Sequence, residues 1–228
     1  MKKTKRKFNK KRKQPKFNKF FSYNNEKRIK KNFMYKNFER SNSYNSSFTL
    51  CNFKNTNFQK STMKYCGFNG ALFEGTEFKN ANLRGSRFKG ALFKNVIFID
   101  TKLDKVTFEN AKFENVIFVN SSLKRCKGIK KDTQGIEVLN SMPRENFDLE
   151  LIKAIKFANQ NKYIRDSEIL IRKKGQRLNI INIIKLRKLF EDKYLIKNLK
   201  SISKIISNQF YTLSYLIHYL QNKLIIAI

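Results

Sequence analysis

The sequence predicts a mainly β protein: a four-walled solenoid through the middle of the chain, followed by an α-helical C-terminal region. Three observations carry this. From Phe48 to Leu123 every fifth residue is large and apolar, in the order Phe48, Phe53, Phe58, Met63, Phe68, Phe73, Phe78, Leu83, Phe88, Phe93, Phe98, Leu103, Phe108, Phe113, Phe118, Leu123. The departures from Phe, at Met63, Leu83, Leu103 and Leu123, fall twenty residues apart, so four pentads complete one circuit. From Asp148 onward the apolar spacing changes to three and four, the period of a helix.

A five-residue period excludes both regular elements. Positions five apart step around an α-helix by about 140° and point to opposite faces of a flat strand. The chain must therefore turn a corner in every pentad, which sends each large side chain to a common axis. One wall then stacks Met63 and the three leucines, and the other three walls stack Phe. Four coils at a sheet-like spacing give a body roughly 19 Å long.

Two positions before each large residue stands a small one, from Ser46 and Cys51 to Val116 and Ser121. Close packing around a narrow axis leaves no room for two large groups side by side. Two positions after it Asn or Gly recurs, as at Asn55, Gly70, Gly75, Asn80 and Gly85. These residues tolerate the positive φ that the third position of a type II turn requires, so they mark the corners.

The pentads CNFKN, ALFEG, ANLRG, ALFKN and AKFEN resemble the A(D/N)LxX unit of pentapeptide-repeat proteins. The resemblance covers about residues 31–127 and implies a right-handed quadrilateral β-helix. It implies no single activity, because members of that family do many things. Some protect DNA gyrase from inhibitors by imitating the shape and negative charge of DNA. A topoisomerase-directed role is thus one alternative, from which the basic surface here departs.

The formal charge of the 228-residue chain is +33. Residues 1–45 hold 17 Lys and Arg against 2 acids, residues 46–127 hold 14 against 6, and residues 128–228 hold 19 against 9. Such a surplus attracts polyanions, because neutralising phosphates releases their counterions. Candidate contacts are Lys10, Lys11, Arg12 and Lys13 near the N-terminus, with Arg84, Arg87 and Lys89 as the densest patch of the body. Residues 1–30 are expected to form a disordered basic arm, since like charges repel and leave little to bury. Phe17, Phe20, Phe21 and Tyr23 of that arm suit stacking on unpaired bases, with packing on the first coil as the alternative. Without a helix-turn-helix, zinc-finger or RRM signature, the expected contact is nonspecific.

Catalysis lacks its minimum constellation. His218 is the only histidine, Cys51, Cys66 and Cys126 all occupy the small interior position, and no CxxC spacing or sheltered carboxylate pair exists. The expectation is no catalytic residue, no metal and no cofactor, with the thiols buried in a reducing compartment. No apolar run follows the basic N-terminus, so a signal peptide is not expected and the location is expected to be cytoplasmic.

The expected domains are the arm (1–30), the solenoid (31–127), a linker and cap (128–147) and the helical region (148–228). The first coil keeps Phe33 and Phe38 in register but has Lys31 and Lys36 in small positions, so it is expected to act as a cap. Ile129, Ile136 and Leu139 should cover the other end. The helices are expected over LELIKAIKFA with Asp148 as N-cap, over IRDSEILIRKK up to Gly175, and along an amphipathic stretch from Leu178. The stripe of Leu195, Leu199, Ile202, Ile206, Leu213, Ile217 and Leu220 must be buried against the other helices, the solenoid end, a second copy in a homodimer, or a membrane surface. Phe210–Ile228 is interrupted by His218, Gln221, Asn222 and Lys223, which disfavours a membrane span and leaves a membrane-peripheral protein as a further alternative. The apolar end LIIAI also fits a truncated reading frame. The leading functional expectation is a non-catalytic scaffold or interaction protein whose basic arm and surface contact nucleic acid or another polyanion.

Overall fold

All backbone pairings in the solenoid are parallel and join residues twenty apart, from Asn24↔Tyr44 to Val119↔Leu139. The computed structural model describes residues 21–226 and shows a β-solenoid of about five turns followed by helices. Strands β1 (Asn42–Tyr44) and β2 (Thr62–Lys64) pair on the wall of Met63 and the leucines. On the next-but-one wall β3 (Leu72–Glu74), β5 (Leu92–Lys94) and β7 (Lys112–Glu114) stack in order. β4 (Glu77–Lys79), β6 (Ile97–Ile99), β8 (Val116–Val119) and β9 (Ile136–Leu139) form a four-stranded ladder on a third wall. The wall of Phe48, Phe68, Phe88 and Phe108 is held by isolated bridges such as Gly67↔Arg87.

The sixteen predicted core positions lie along the axis. All are buried except Phe113, which is half-buried on β7, the last strand of its wall. Rings one coil apart stack face to face: Phe78–Phe98 at 4.8 Å and Phe98–Phe118 at 4.5 Å, both within 3° of parallel. The small interior residues also satisfy backbone carbonyls. Thr76 Oγ1 donates to Phe53 O (2.7 Å), Thr56 Oγ1 to Phe33 O (2.9 Å) and Cys51 Sγ to Arg28 O (2.6 Å), each reaching back 23 residues to the neighbouring coil. At the corners positive φ is demanded even of Leu50, Lys60, Tyr35 and Tyr65, which lie between 56° and 59°.

The solenoid extends past both expected boundaries. Residues 21–30, assigned by sequence to the arm, already carry the bridges Asn24↔Tyr44 and Lys27↔Ser47. Tyr23 is a core residue and Phe21 packs 4.7 Å from Phe38, because rings that fill the open end bury more apolar surface than rings left in water. At the other end the twenty-residue spacing continues to β9, with Val138 beneath Phe118, although the pentad pattern has faded there. Ile129 and Ile136 close this end of the core, whereas Leu139 packs with the helices.

Helix α1 (Leu149–Ala158) is capped as expected: Asp148 Oδ1 accepts from the backbone N–H of Glu150 (2.8 Å) and Leu151 (3.2 Å). The second helix is shorter than expected. α2 (Lys162–Ser167) stops at Ser167, Glu168 turns left-handed at φ 56°, and the chain folds into a hairpin-like bridge Ile171↔Leu178. Gly175, at φ 73°, forms the bend of that bridge rather than a helix end. Tertiary burial decides this: Ile169 and Leu170 are buried, and Asn182 Nδ2 donates to Ile169 O (2.8 Å). The long amphipathic stretch breaks into α3 (Ile180–Leu189), α4 (Asp192–Ile205) and α5 (Leu213–Ile226). Asn161 ties the start of α2 to the break after α4, since Oδ1 accepts from Tyr163 N–H while Nδ2 donates to Ser203 O and Ile206 O at the end of α4.

The apolar stripe is covered within the chain. Leu195, Leu199, Ile202, Ile206, Leu213 and Leu220 are buried, and Ile217 is partly so, in a second core completed by Ile97, Ile99, Ile117 and Val119. Those four residues flank Phe98 and Phe118 and point outward from the solenoid, where polar residues would otherwise stand. The helices therefore lie along the β4–β6–β8–β9 wall, each aliphatic side chain contributing about 1.5–3 kcal/mol of burial. Among the described residues no helix is long and apolar enough to cross a membrane.

Candidate nucleic-acid interface and the junction cavities

Because consecutive pentads occupy consecutive walls, covering the β4–β6–β8–β9 wall leaves the leucine wall next to it uncovered. Its outward positions and following corner carry Lys64, Arg84, Lys102, Lys105, Lys124 and Arg125, with Asp104 as the one acid among them. Arg84, Lys102, Lys105, Lys124 and Arg125 are exposed. Asp104 is shared by Arg84 (3.5 Å) and Arg125 (3.0 Å), which leaves a surplus of positive charge spread over several coils. The same wall presents two tyrosines: Tyr44 is 47% exposed, Tyr65 is 38% exposed, and their rings meet edge to face at 5.6 Å. Tyr65 lies over Gly85, where a Cβ would strike the ring. This wall thus sets cations at coil spacing beside exposed aromatic rings.

The structure divides the predicted body patch. Arg84 stands on the leucine wall, while Arg87 and Lys89 flank Phe88 on the adjoining wall, where both are exposed. There Arg87 is bridged to Gly67 and Thr107, so no cation ladder continues from it to the next coils. Lys10, Lys11, Arg12 and Lys13 lie outside the described residues. The leucine-wall stripe is not legible in the sequence, because its members sit at three different pentad positions and align only when the chain is wound by twenties.

A second concentration of polar groups lies where α5 meets the solenoid. Glu77, 3% exposed, accepts from Leu213 N–H through Oε1 (2.7 Å) and from Lys79 Nζ through Oε2 (2.8 Å). Gly75 makes this approach feasible, because a Cβ there would collide with Ser214 and Asn55. Lys185 of α3 is buried beside this junction, its Nζ without a hydrogen-bond partner, and burial pushes its ammonium down to about 8 despite the nearby Glu77. Two adjoining cavities of about 240 and 280 Å³ flank the contact and share Tyr35 and Asn55. His218 lines the first, with Nε2 3.1 Å from Asn222 Nδ2.

The three cysteines are free thiols in the small interior position. Burial raises Cys66 to about 11 and Cys126 to about 12, so both are protonated at neutral pH and poor nucleophiles. Among the described residues no group of three or more His, Cys, Asp or Glu could hold a metal ion.

The repeat itself matches a known family. The family model for the pentapeptide repeat region aligns with residues 61–130, less than a third of the chain. Residues 61–130 are a pentapeptide repeat region. No curated protein matches the chain in sequence. Among solved structures it is similar to a pentapeptide repeat protein of the cyanobacterium Cyanothece 51142, at 18% identity over 42% of this chain and 88% of that one, with a TM-score of 0.30. A pentapeptide repeat protein of the Arabidopsis thaliana thylakoid lumen is similar at 20% identity over 57% of this chain and 75% of that one, TM-score 0.31. Trypsin-treated QnrB1, a plasmid-mediated fluoroquinolone resistance protein, is similar at 14% identity over 49% of this chain and 56% of that one, TM-score 0.30. In the pentapeptide repeat region the Phe, Leu, Ser, Thr and Ala of each unit are spent on the axis, so chemistry falls to the outward positions and the junction.

Proposed function

We propose that the chain is a non-catalytic scaffold whose leucine wall binds single-stranded nucleic acid without sequence preference. The observation that carries this reading is the coincidence, on a wall free of helices, of six cations against one acid with the exposed pair Tyr44 and Tyr65. The phosphate backbone runs across the coils along the cations, and unpaired bases stack on the tyrosines. The basic N-terminal residues add electrostatic attraction. Free, protonated thiols support residence in a reducing compartment such as the cytoplasm.

The test is fluorescence anisotropy of a labelled single-stranded oligonucleotide against salt concentration. Neutralising three cations together, Arg84→Gln, Lys102→Gln and Lys124→Gln, should flatten the slope of log K against log salt by about 2, since each single-strand phosphate contact contributes about 0.7. Tyr44→Ala should weaken binding by about 1–3 kcal/mol while leaving that slope in place. A slope and affinity indifferent to all four changes overturns the assignment.

A further inference from the structure

The two junction cavities have complementary chemistry. The 280 Å³ cavity is walled by Tyr35, Phe210, Tyr211 and Tyr215, together with Asn55 and Thr212. Phe210 and Tyr215 stack at 4.9 Å and 17°, and Tyr35 stands edge-on to Tyr215 at 6.2 Å. Thr212 is 1% exposed, and its Oγ1 has no hydrogen-bond partner. A buried hydroxyl left unmatched is unfavourable, so its presence in an aromatic cavity points to a polar edge that arrives with a ligand. Tyr35 also departs from the Asn and Gly that suit a corner: its φ is 59°, yet its side chain is half-exposed and contributes little to the axis.

The adjoining 240 Å³ cavity is polar, lined by Lys54, Lys185, Ser214 and His218 among others. Its carboxylates are already matched, Glu74 by Lys54 at 3.1 Å and Glu77 by Lys79 and Leu213. The Lys185 ammonium is not matched. One cavity thus offers aromatic faces and an unpartnered hydroxyl, and the other a buried ammonium without a hydrogen-bond partner. A ligand that joins a planar ring bearing hydrogen-bonding edges to an anion meets both needs, and the two cavities, each smaller than a usual small-molecule site, reach that size range together.

We propose that the two cavities form one site for a nucleoside monophosphate, with the base among Tyr35, Tyr211 and Tyr215 and against Thr212, and the phosphate in the polar cavity beside Lys54 and Lys185. The inference does not depend on the leucine wall. Asn55 lies at the shared boundary, where its amide reaches the sugar or the base edge.

Calorimetric titration of the full chain with AMP, adenosine and ribose 5-phosphate tests it. AMP should bind saturably, with adenosine and ribose 5-phosphate each weaker by about tenfold, a loss of one of the two halves of the ligand. Thr212→Val should weaken AMP by about tenfold while the ligand-free melting temperature stays the same or rises, because the unmatched hydroxyl is gone. Tyr35→Ala should weaken AMP and adenosine alike, and Lys185→Met should bring AMP down to the level of adenosine. Oligonucleotide binding measured in parallel should be unaffected by Tyr35→Ala, which separates this site from the leucine wall. Absence of saturable AMP binding at millimolar concentration, or AMP binding indifferent to Tyr35→Ala and Thr212→Val in folded variants, overturns the proposal.

Discussion

The carboxylate of Glu77 and the backbone N–H of Leu213 are joined by a 2.7 Å hydrogen bond across 136 residues of sequence. A side chain of solenoid strand β4 thereby occupies the first turn of α5, where the helix dipole favours negative charge. Its second oxygen holds the buried Lys79 at 2.8 Å. The repeat and the helical region are thus connected by a charged contact as well as by the aliphatic wall.

Glu77→Ala should destabilise the protein by about 3 kcal/mol, chiefly because it strands the buried Lys79 ammonium and one helix N–H. Glu77→Gln keeps an acceptor for Leu213 and should cost less. Equilibrium denaturant unfolding of the two variants checks the order, and equal costs would show that the acceptor kept by Gln contributes nothing and that the loss is that of the charge alone.

Thr76→Val preserves shape but deletes the hydroxyl that donates to Phe53 O at 2.7 Å inside the solenoid. The expected loss is about 1 kcal/mol, the net value of a buried hydrogen bond. Ala71→Ser adds a hydroxyl at the small position of the neighbouring wall, where Cys51, Ala71, Ala91 and Ala111 carry none, and the pair measured by thermal unfolding reports how much the inner ladder contributes beyond small size.

Lys185 makes stability depend on pH in a definite direction. Burial lowers its ammonium from 10.5 to about 8, so between those values the native chain has released a proton that the unfolded chain still holds. The unfolded state then binds more protons, and this group's contribution to stability rises with pH across that window. The penalty is fully present below pH 8 and gone above pH 10.5, on the order of 3 kcal/mol in all. Cys66 and Cys126, raised by burial to about 11 and about 12, act in the opposite sense above pH 9. The measurement is therefore the difference between wild type and Lys185→Met: the variant should be the more stable at pH 7, with its advantage shrinking toward pH 10. A difference independent of pH would contradict a charged, unpaired Lys185 in the native state.

The outward aliphatic residues show how far the chain could be read in advance. Ile97, Ile99, Ile117 and Val119 stand beside Phe98 and Phe118 as IFI and VIFV, a visible breach of the rule that neighbours of an axial residue face water. That breach marks the helix-bearing wall. The period of five carries no trace of it, because that period is set by the axial residue of each pentad alone. The end of α2 at Ser167 carried no such sign, since IRDSEILIRKK has helical spacing throughout and only the burial of Ile169 and Leu170 cuts it short. Likewise Glu77 and Lys79 look like an ordinary surface pair until α5 closes over them.

The period of five, with its exceptions every twenty residues, was enough by itself to specify the solenoid, its four walls, its axial residues and its corners. These follow from short-range geometry repeated sixteen times, where each pentad meets only the pentads beside it and one coil away. The chain order also placed the first helix and its Asp148 cap, since caps are local hydrogen bonds. Which helix faces meet the marked wall and which polar groups meet at the α5 junction depend on contacts between residues up to 136 positions apart. No local pattern encodes those pairings, because they are selected by the total apolar surface that one docking buries, and only the folded chain makes that choice.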